Sequence, residues 1–312
     1  MKLTYSQNWA VYNKAQAREK GLFMELLSEL CKTVDEPCQE FGRPRLPMSD
    51  MMFCSAFKVY STFSGRRFTT DMRIAKERNY ITKVPHYNSI FNYLKDPRLT
   101  SILQQFIEAS SLPLKAIETD FAVDSSGFTS SRYARWFSFK YGRDNVWKTW
   151  LKAHLMVGVR TNVVTSVEVT DGNSSDTPMF PDLVTRTARN FSVKEVSADK
   201  GYSSRRNYDT VKDIGGVAYI PFKSNATGKS RGSYTWMKMF HYFMCNREEF
   251  MAHYHKRSNV ETVFHMIKSK FGTNLRSRNR TAQVNEILCK ILCHNICVLI
   301  QEMSELGIGA LK

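Results

Sequence analysis

Tyr254, Arg257, Glu261 and Lys268 follow one another with two, three and six residues between them. On a helix, at about 100° per residue, they share a face about 60° wide. Val260, Val263, Phe264 and Ile267 form an apolar stripe beside that face. Such a helix docks by one side and presents a carboxylate flanked by cations along its edge. A plain surface helix with an Arg257–Glu261 pair at i, i+4 explains the same residues.

Two acids upstream give Glu261 company. Asp124 closes the strand-like stretch Leu114–Asp124, and Ser125-Ser126-Gly127 follow it as a breaker. Asp199 closes Val193–Asp199, ahead of Lys200-Gly201-Tyr202. In an open α/β sheet, ligand sites gather beyond the strand ends. Three carboxylates meeting there cannot all stay charged without a counter-ion. Oxygen-only donors with no cysteine nearby suit Mg²⁺ or Mn²⁺. Two such ions, about 4 Å apart, activate a water or a 3′-hydroxyl and stabilise the leaving oxygen in phosphodiester displacement. Rival carboxylates are Asp120, which shares the strand parity of Asp124, and Asp171 and Asp176, for which capping is a sufficient role.

The elements that must position these acids fall into two parts. Residues 1–112 read as helical, with helices at Ala15–Thr33, Ser49–Thr62, Thr69–Glu77, His86–Lys95 and Arg98–Ser110 and a basic turn at Glu40–Pro47. Arg66, Arg67, Arg73, Lys76, Arg78 and Lys83 lie among them. Short basic helices suit a helix-turn-helix-like DNA reader, with Arg66 and Arg67 as candidate DNA contacts; many small helical domains are basic for no such reason. From residue 113 the pattern changes to a strand, a hairpin (Trp150–Arg160 and Val163–Thr170 around Thr161-Asn162), a helix over Asp176–Asn190, the Asp199 strand, a helix over Ser203–Lys212, a strand over Gly216–Phe222 and a polar loop over Ser224–Tyr234. The Glu261 helix, the basic stretch Lys270–Arg280 and a last apolar helix from Ala282 to about Leu306 complete the chain. The order predicts an α/β fold, a ribonuclease-H-like mixed sheet with helices on both faces over 113–312, preceded by an all-α domain.

Bulk chemistry agrees. Lys+Arg is 45 against 29 Asp+Glu in 312 residues, a net charge of +16 and a pI near 9.5. That balance points to a polyanionic partner, most simply nucleic acid, or to a generic basic protein kept soluble by its charge. With 42% hydrophobic residues the chain can bury a real core. No apolar run of about 18 residues predicts a membrane span, and the first twenty residues lack the apolar core of a secretory signal. The expected location is therefore the cytoplasm, in association with the nucleoid. The seven cysteines are odd in number and lack a disulfide framework. Cys289, Cys293 and Cys297, with His294, repeat every four residues in an apolar run; small hydrophobes on a buried helix explain them better than a metal site.

These pieces together resemble the DDE transposases of bacterial and archaeal insertion sequences, in the broad IS4/IS5-type group. Tyr254, Arg257, Glu261 and Lys268 match that group's signature at its full spacing. Ala122-Val-Asp124-Ser-Ser-Gly127, Ala198-Asp199-Lys-Gly-Tyr202, Tyr219-Ile-Pro-Phe-Lys223 and His294-Asn295 are further matching pieces. The likeness covers about 114–300. It implies a catalytic, metal-binding triad of Asp124, Asp199 and Glu261, holding two Mg²⁺ or Mn²⁺ ions. It implies DNA contacts from Tyr254, Arg257, Lys268 and Lys200, and supporting or DNA-facing roles for Asn173 and Asp176. Lys152 and His154, in the second strand, also resemble the group, with a structural role the default for His154. The implied partner is double-stranded DNA, namely transposon ends and target, handled by a homodimer with no membrane involved. The implied activity is cut-and-paste transposition at terminal inverted repeats. A catalytically inactive DNA-binding descendant and a structure-specific nuclease on the same core are the alternatives. Between Asp199 and Glu261 lie 62 positions (261 − 199). Only about 224–250 are spare, too few for the large β-rich insertion that some members of the group it resembles carry at this point, so the resemblance does not extend to the hairpin ends that some relatives form. Lys229, Arg231, Trp236, Lys238 and Tyr242 in that segment suit contacts to DNA backbone and flipped bases, or equally a surface loop packed by its own aromatics.

Overall fold

The computed structural model describes residues 8–38, 41–42, 44–130, 140, 142 and 150–306. Glu40 and Arg43 of the basic turn, and the first seven residues of the chain, lie outside these. Five helices open the chain: α1 (Trp9–Cys31), α2 (Met48–Ser61), α3 (Gly65–Glu77), α4 (Tyr87–Tyr93) and α5 (Arg98–Ser111). α1 starts earlier than its apolar periodicity indicated, because Asn8 caps it through the backbone N–H of Val11. α3 also starts earlier, at Gly65, so Thr69 and Thr70 lie inside the helix.

The sheet holds β1 (Asp120–Thr129), β2 (Trp150–Gly158), β3 (Val164–Asp171), β4 (Glu195–Ala198) and β5 (Val217–Tyr219), in the order β3-β2-β1-β4-β5. β1, β2 and β3 are antiparallel neighbours, while β4 and β5 run parallel to β1. Helices α6 (Phe180–Ala188) and α7 (Arg205–Asp213) link the later strands. This is the mixed α/β, ribonuclease-H-like arrangement expected, behind an all-helical N-terminal region. The Thr161-Asn162 hairpin also forms. Asn162 takes the left-handed conformation at φ 65°, which asparagine tolerates better than most side chains. Glu118, buried, accepts the backbone N–H groups of Arg160 and Thr161 and so fixes that turn.

The first strand departs from its sequence pattern. Leu112–Leu114 is a 3₁₀ turn, and β1 runs through Ser125-Ser126-Gly127 to Thr129. Gly127 is no breaker. A Cβ there would lie 2.4 Å from the Trp150 ring, and one at Gly172 equally close. Both glycines make room for the indole, which lets β1 and β2 stay paired as far as Thr129 and Trp150.

Each sheet face has its own apolar layer, as alternation along β1 requires. Phe121 and Val123 pack with α6, α7, α8 (Tyr234–Cys245) and α9 (Arg247–Tyr254). Ala122 and Phe128 face the other way, toward the N-terminal helices, α10 (Ser258–Phe271) and α11 (Arg280–Leu306). α11 is long and apolar enough to cross a membrane by length and mean hydropathy, but 72% of that stretch is buried inside the protein. Its Asn295 serves the outer edge of β3, donating to the carbonyl of Val164 and accepting from that residue's N–H. It is a core helix shared by the sheet and the N-terminal helices.

Candidate active site

Parallel pairing of β1 with β4 ends at Val123 and Ala198. One residue further along each chain stand Asp124 and Asp199. They inherit the same parity, so both project from the face that carries α10. Asp124 lies within β1, not at its end, because β1 continues along β2 after β4 has stopped. The site therefore opens where β4 ends.

Glu261 occupies the first turn of α10. Val260, Val263, Phe264 and Ile267 are buried and clamp that helix to the sheet. The single helix expected from Tyr254 to Lys268 is broken: α9 ends at Tyr254, His255–Arg257 form a 3₁₀ turn, and α10 starts at Ser258. Lys256, in that turn, donates to Asp120 and to Glu195, each at 2.6 Å, and pins the break against the first residues of β1 and β4. The rival Asp120 is thereby engaged away from Asp124. Nothing in the residue pattern marked Lys256.

Arg257 joins the acids. Its Nη1 donates to Asp124 Oδ2 and its Nη2 to Glu261 Oε1. The i, i+4 pair is real, and it also reaches across to the strand. The guanidinium lies 5.9 Å from the centre of the Tyr254 ring. Asp124 Oδ1 accepts the N–H of Ser125 at 2.8 Å. Burial pushes the Asp124 carboxyl above its usual range; the Ser125 N–H and Arg257 oppose that, while Asp199 and Glu261 add to it. Among the described residues no three of His, Cys, Asp and Glu are grouped closely enough to hold a metal ion. The positive charge between Asp124 and Glu261 is Arg257.

Lys268, two turns along α10, donates to Ser126 Oγ at 2.6 Å over the ring of Phe128. Lys200 is exposed beside Asp199, where both line a cleft of about 520 Å³ with Lys223 and Asn225. On the other side Lys152 donates to Asp176 Oδ1 at 2.8 Å and to the carbonyl of Ser174. His154 is buried between Thr170, 2.9 Å from Nε2, and Asp176, 3.7 Å from Nδ1. Burial lowers its pKa to about 4, so it is neutral. Asn173 is exposed and Asp171 pairs with Arg280. Arg66 and Arg67 are exposed in the first turn of α3, outside this cluster.

The segment 224–250 is largely helical, with α8 and the start of α9. Trp236 is buried, packed edge-on to Tyr208 and Phe222, with Nε1 donating to the carbonyl of Thr227. It belongs to the core and presents no face to a base. The cysteine run of α11 is likewise core: Cys289 and Cys293 are buried, their thiols pushed up by burial, and His294 Nε2 donates to the carbonyl of Asn162.

No solved structure gives a significant match to this chain. The family model described as the transposase DDE domain matches residues 115–296, a span that holds every strand of the sheet together with Asp124, Asp199 and Glu261. With the order of the sheet and the acidic edge it supports, this makes the chain a member of the DDE transposase family.

Proposed function

We propose that this chain is a cut-and-paste transposase that binds the terminal inverted repeats of an insertion sequence, cleaves its DNA strands and transfers the freed 3′-hydroxyls into target DNA. Asp124, Asp199 and Glu261 are its catalytic acids and would hold Mg²⁺ or Mn²⁺. The donor set fits a hard divalent ion, being all oxygen. Burial, reinforced by Asp199 and Glu261 and opposed by the Ser125 N–H and Arg257, raises the Asp124 carboxyl, and an added cation would act in the opposite direction. When bound, the metal supplies the charge that activates an attacking hydroxyl and stabilises the leaving oxygen.

The chain's own residues do the rest. Arg257 neutralises Asp124 and Glu261 in the resting site and must release at least one of them for a cation to enter. Once free, its planar guanidinium suits bidentate contact with a phosphate flanking the scissile bond. Lys268 contributes a point charge on the same helix, and Tyr254 positions Arg257 through its ring. Lys200 and Lys223 line the cleft beside Asp199 and would guide the strand that enters there. Two protomers would pair the two DNA ends.

The observation that carries this proposal is the β1–β4 register, which makes Asp124 and Asp199 neighbours on the face where Arg257 ties Glu261 to Asp124. Incubating the purified protein with Mg²⁺ and a duplex carrying the element's terminus tests it. Wild type should nick at the terminus, whereas Asp124→Ala and Glu261→Gln should not. Equal cutting of branched DNA lacking that terminus would instead indicate a structure-specific nuclease.

A further inference from the structure

A second cavity, larger than the cleft at Asp199, lies at the other end of α10. It has a volume of about 620 Å³ and sits between the end of α2, the start of α3, α4 and the segment before α11. Phe271, ten residues after Glu261 on α10, lines it. At 1.5 Å per residue that places it about 15 Å from the acids.

Its walls are aromatic and its floor is cationic. Phe63 and Phe91 line it and are exposed at 47% and 39%. The ring of Phe91 lies across the first turn of α3; a Cβ at Gly65 would stand 2.8 Å from Phe91 Cζ. The Ser64 side chain leaves that helix start uncapped, and Ser64 and Gly65 line the cavity. On the floor are Lys58 and Lys290, with Arg276 beside them. Lys290 is satisfied, donating to the carbonyls of Gly272 and Asn274. Glu286, the one carboxylate in the lining, is satisfied too, accepting the N–H groups of Arg276 and Ser277. Lys58 is different. It is only 7% exposed, yet among the described residues its ammonium makes no hydrogen bond and no ion pair; it stands over the Phe68 ring, 6.0 Å from the centroid. The side chain is buried along its length while the ammonium stays open to the cavity that Lys58 lines, and a ligand anion there would give it the partner that no protein atom supplies.

We infer that this cavity receives an unpaired nucleotide of DNA, its phosphate on Lys58 and the uncapped start of α3, and its base against Phe91 and Phe63. An intact duplex backbone offers phosphates and sugars to such a site but no base to the two rings. Base–aromatic stacking is worth about 1–3 kcal/mol per base, whatever the sequence. Burial lowers the Lys58 ammonium to about 8, with Arg276 adding and Glu286 opposing, which leaves it charged near neutrality. At 3.4 Å per base pair the cavity lies about four base pairs from the scissile phosphate. This inference rests on the chain being a DNA-handling enzyme.

The test needs no cleavage. A fluorescein-labelled strand of ten thymidines is titrated with full-length protein in EDTA, using wild type, Lys58→Met and Phe91→Ala. Each variant should raise Kd about tenfold. Phe91→Ala should not weaken an abasic strand of the same length, whereas Lys58→Met should. In a strand substituted with 5-iodouracil, ultraviolet light should crosslink to peptides containing Phe63 or Phe91. Phe91 is exposed, so its variant should fold even if Lys58→Met does not. The inference is overturned if both variants bind within twofold of wild type, if the abasic strand binds as tightly as oligothymidylate, or if crosslinks map elsewhere. Asp124→Ala should crosslink like wild type while failing to cut. Should Asp124→Ala cut normally, the proposed activity fails and the cavity still stands or falls on binding.

Discussion

Arg257, in the turn before α10, is ion-paired with Asp124, in the middle of β1, across 133 residues of sequence. The pair joins the helix that carries Glu261 to the strand that carries the first acid. In the absence of metal it also offsets repulsion among Asp124, Asp199 and Glu261.

Arg257→Ala should therefore destabilise the metal-free protein more than the metal-loaded one. The side chains are partly exposed, at 20% for Arg257 and 19% for Asp124, which cuts the cost from that of a fully buried pair to on the order of 1–2 kcal/mol. Thermal melts in EDTA and in Mg²⁺ check this. The deficit of the variant should shrink when Mg²⁺ is present; an equal deficit in both buffers argues that Arg257 does not substitute for the cation.

Gly127→Ala should cost about 1–3 kcal/mol, the range for overpacking, because its Cβ would stand 2.4 Å from Trp150. Trp150→Ala in the same chain should recover most of the loss. Urea unfolding of the two single variants and the double variant measures the coupling, and additivity within a few tenths of a kcal/mol would show that the indole is not what requires glycine.

His154 and His294 are both buried, and burial lowers each from 6.5 to about 4. Unfolding restores the usual pKa, so the unfolded chain binds protons that the folded one refuses. Their contribution is complete above pH 6.5 and is lost as pH falls from about 6.5 to about 4, up to about 3 kcal/mol each. Unfolding free energies from pH 8 down to 4.5 should decline over that window. A His294→Gln protein, which keeps a side-chain donor near the Asn162 carbonyl, should decline less steeply.

Lys268→Ala should weaken binding of a terminus-containing duplex and lower the slope of log K against log salt by about one. Its hydrogen bond to Ser126 is a single one near the surface, so stability should change by less than about 1 kcal/mol. Binding isotherms at four salt concentrations decide the matter; an unchanged slope would mean that Lys268 touches no phosphate.

Much of this architecture was legible because each feature depends on local pattern. Asp124 and Asp199 each follow a short apolar run, and parallel pairing of those runs makes the two acids neighbours. The Asn162 turn needed only a residue tolerant of positive φ. What escaped was set by tertiary contact. The break at His255–Arg257 contains neither glycine nor proline, and only the grip of Lys256 on Asp120 and Glu195 reveals it. Gly127 looked like a breaker because the ring it accommodates lies on the next strand. Helix α8 carries Trp236, Met237, Met239, Phe240, Tyr242, Phe243 and Met244 around most of its circumference. It therefore offers no clean amphipathic period, and its Ser233 cap, bonded to the N–H of Trp236, was the one local sign of its start.

The assignment of Asp124, Asp199 and Glu261 is tested most directly by Mn²⁺ binding to the DNA-free protein, followed by electron paramagnetic resonance or calorimetry. Wild type should bind Mn²⁺, Asp124→Ala and Asp199→Ala should each lose at least tenfold in affinity, and Arg257→Ala should bind more tightly than wild type. Mn²⁺ binding that is unchanged in both aspartate variants would contradict the assignment.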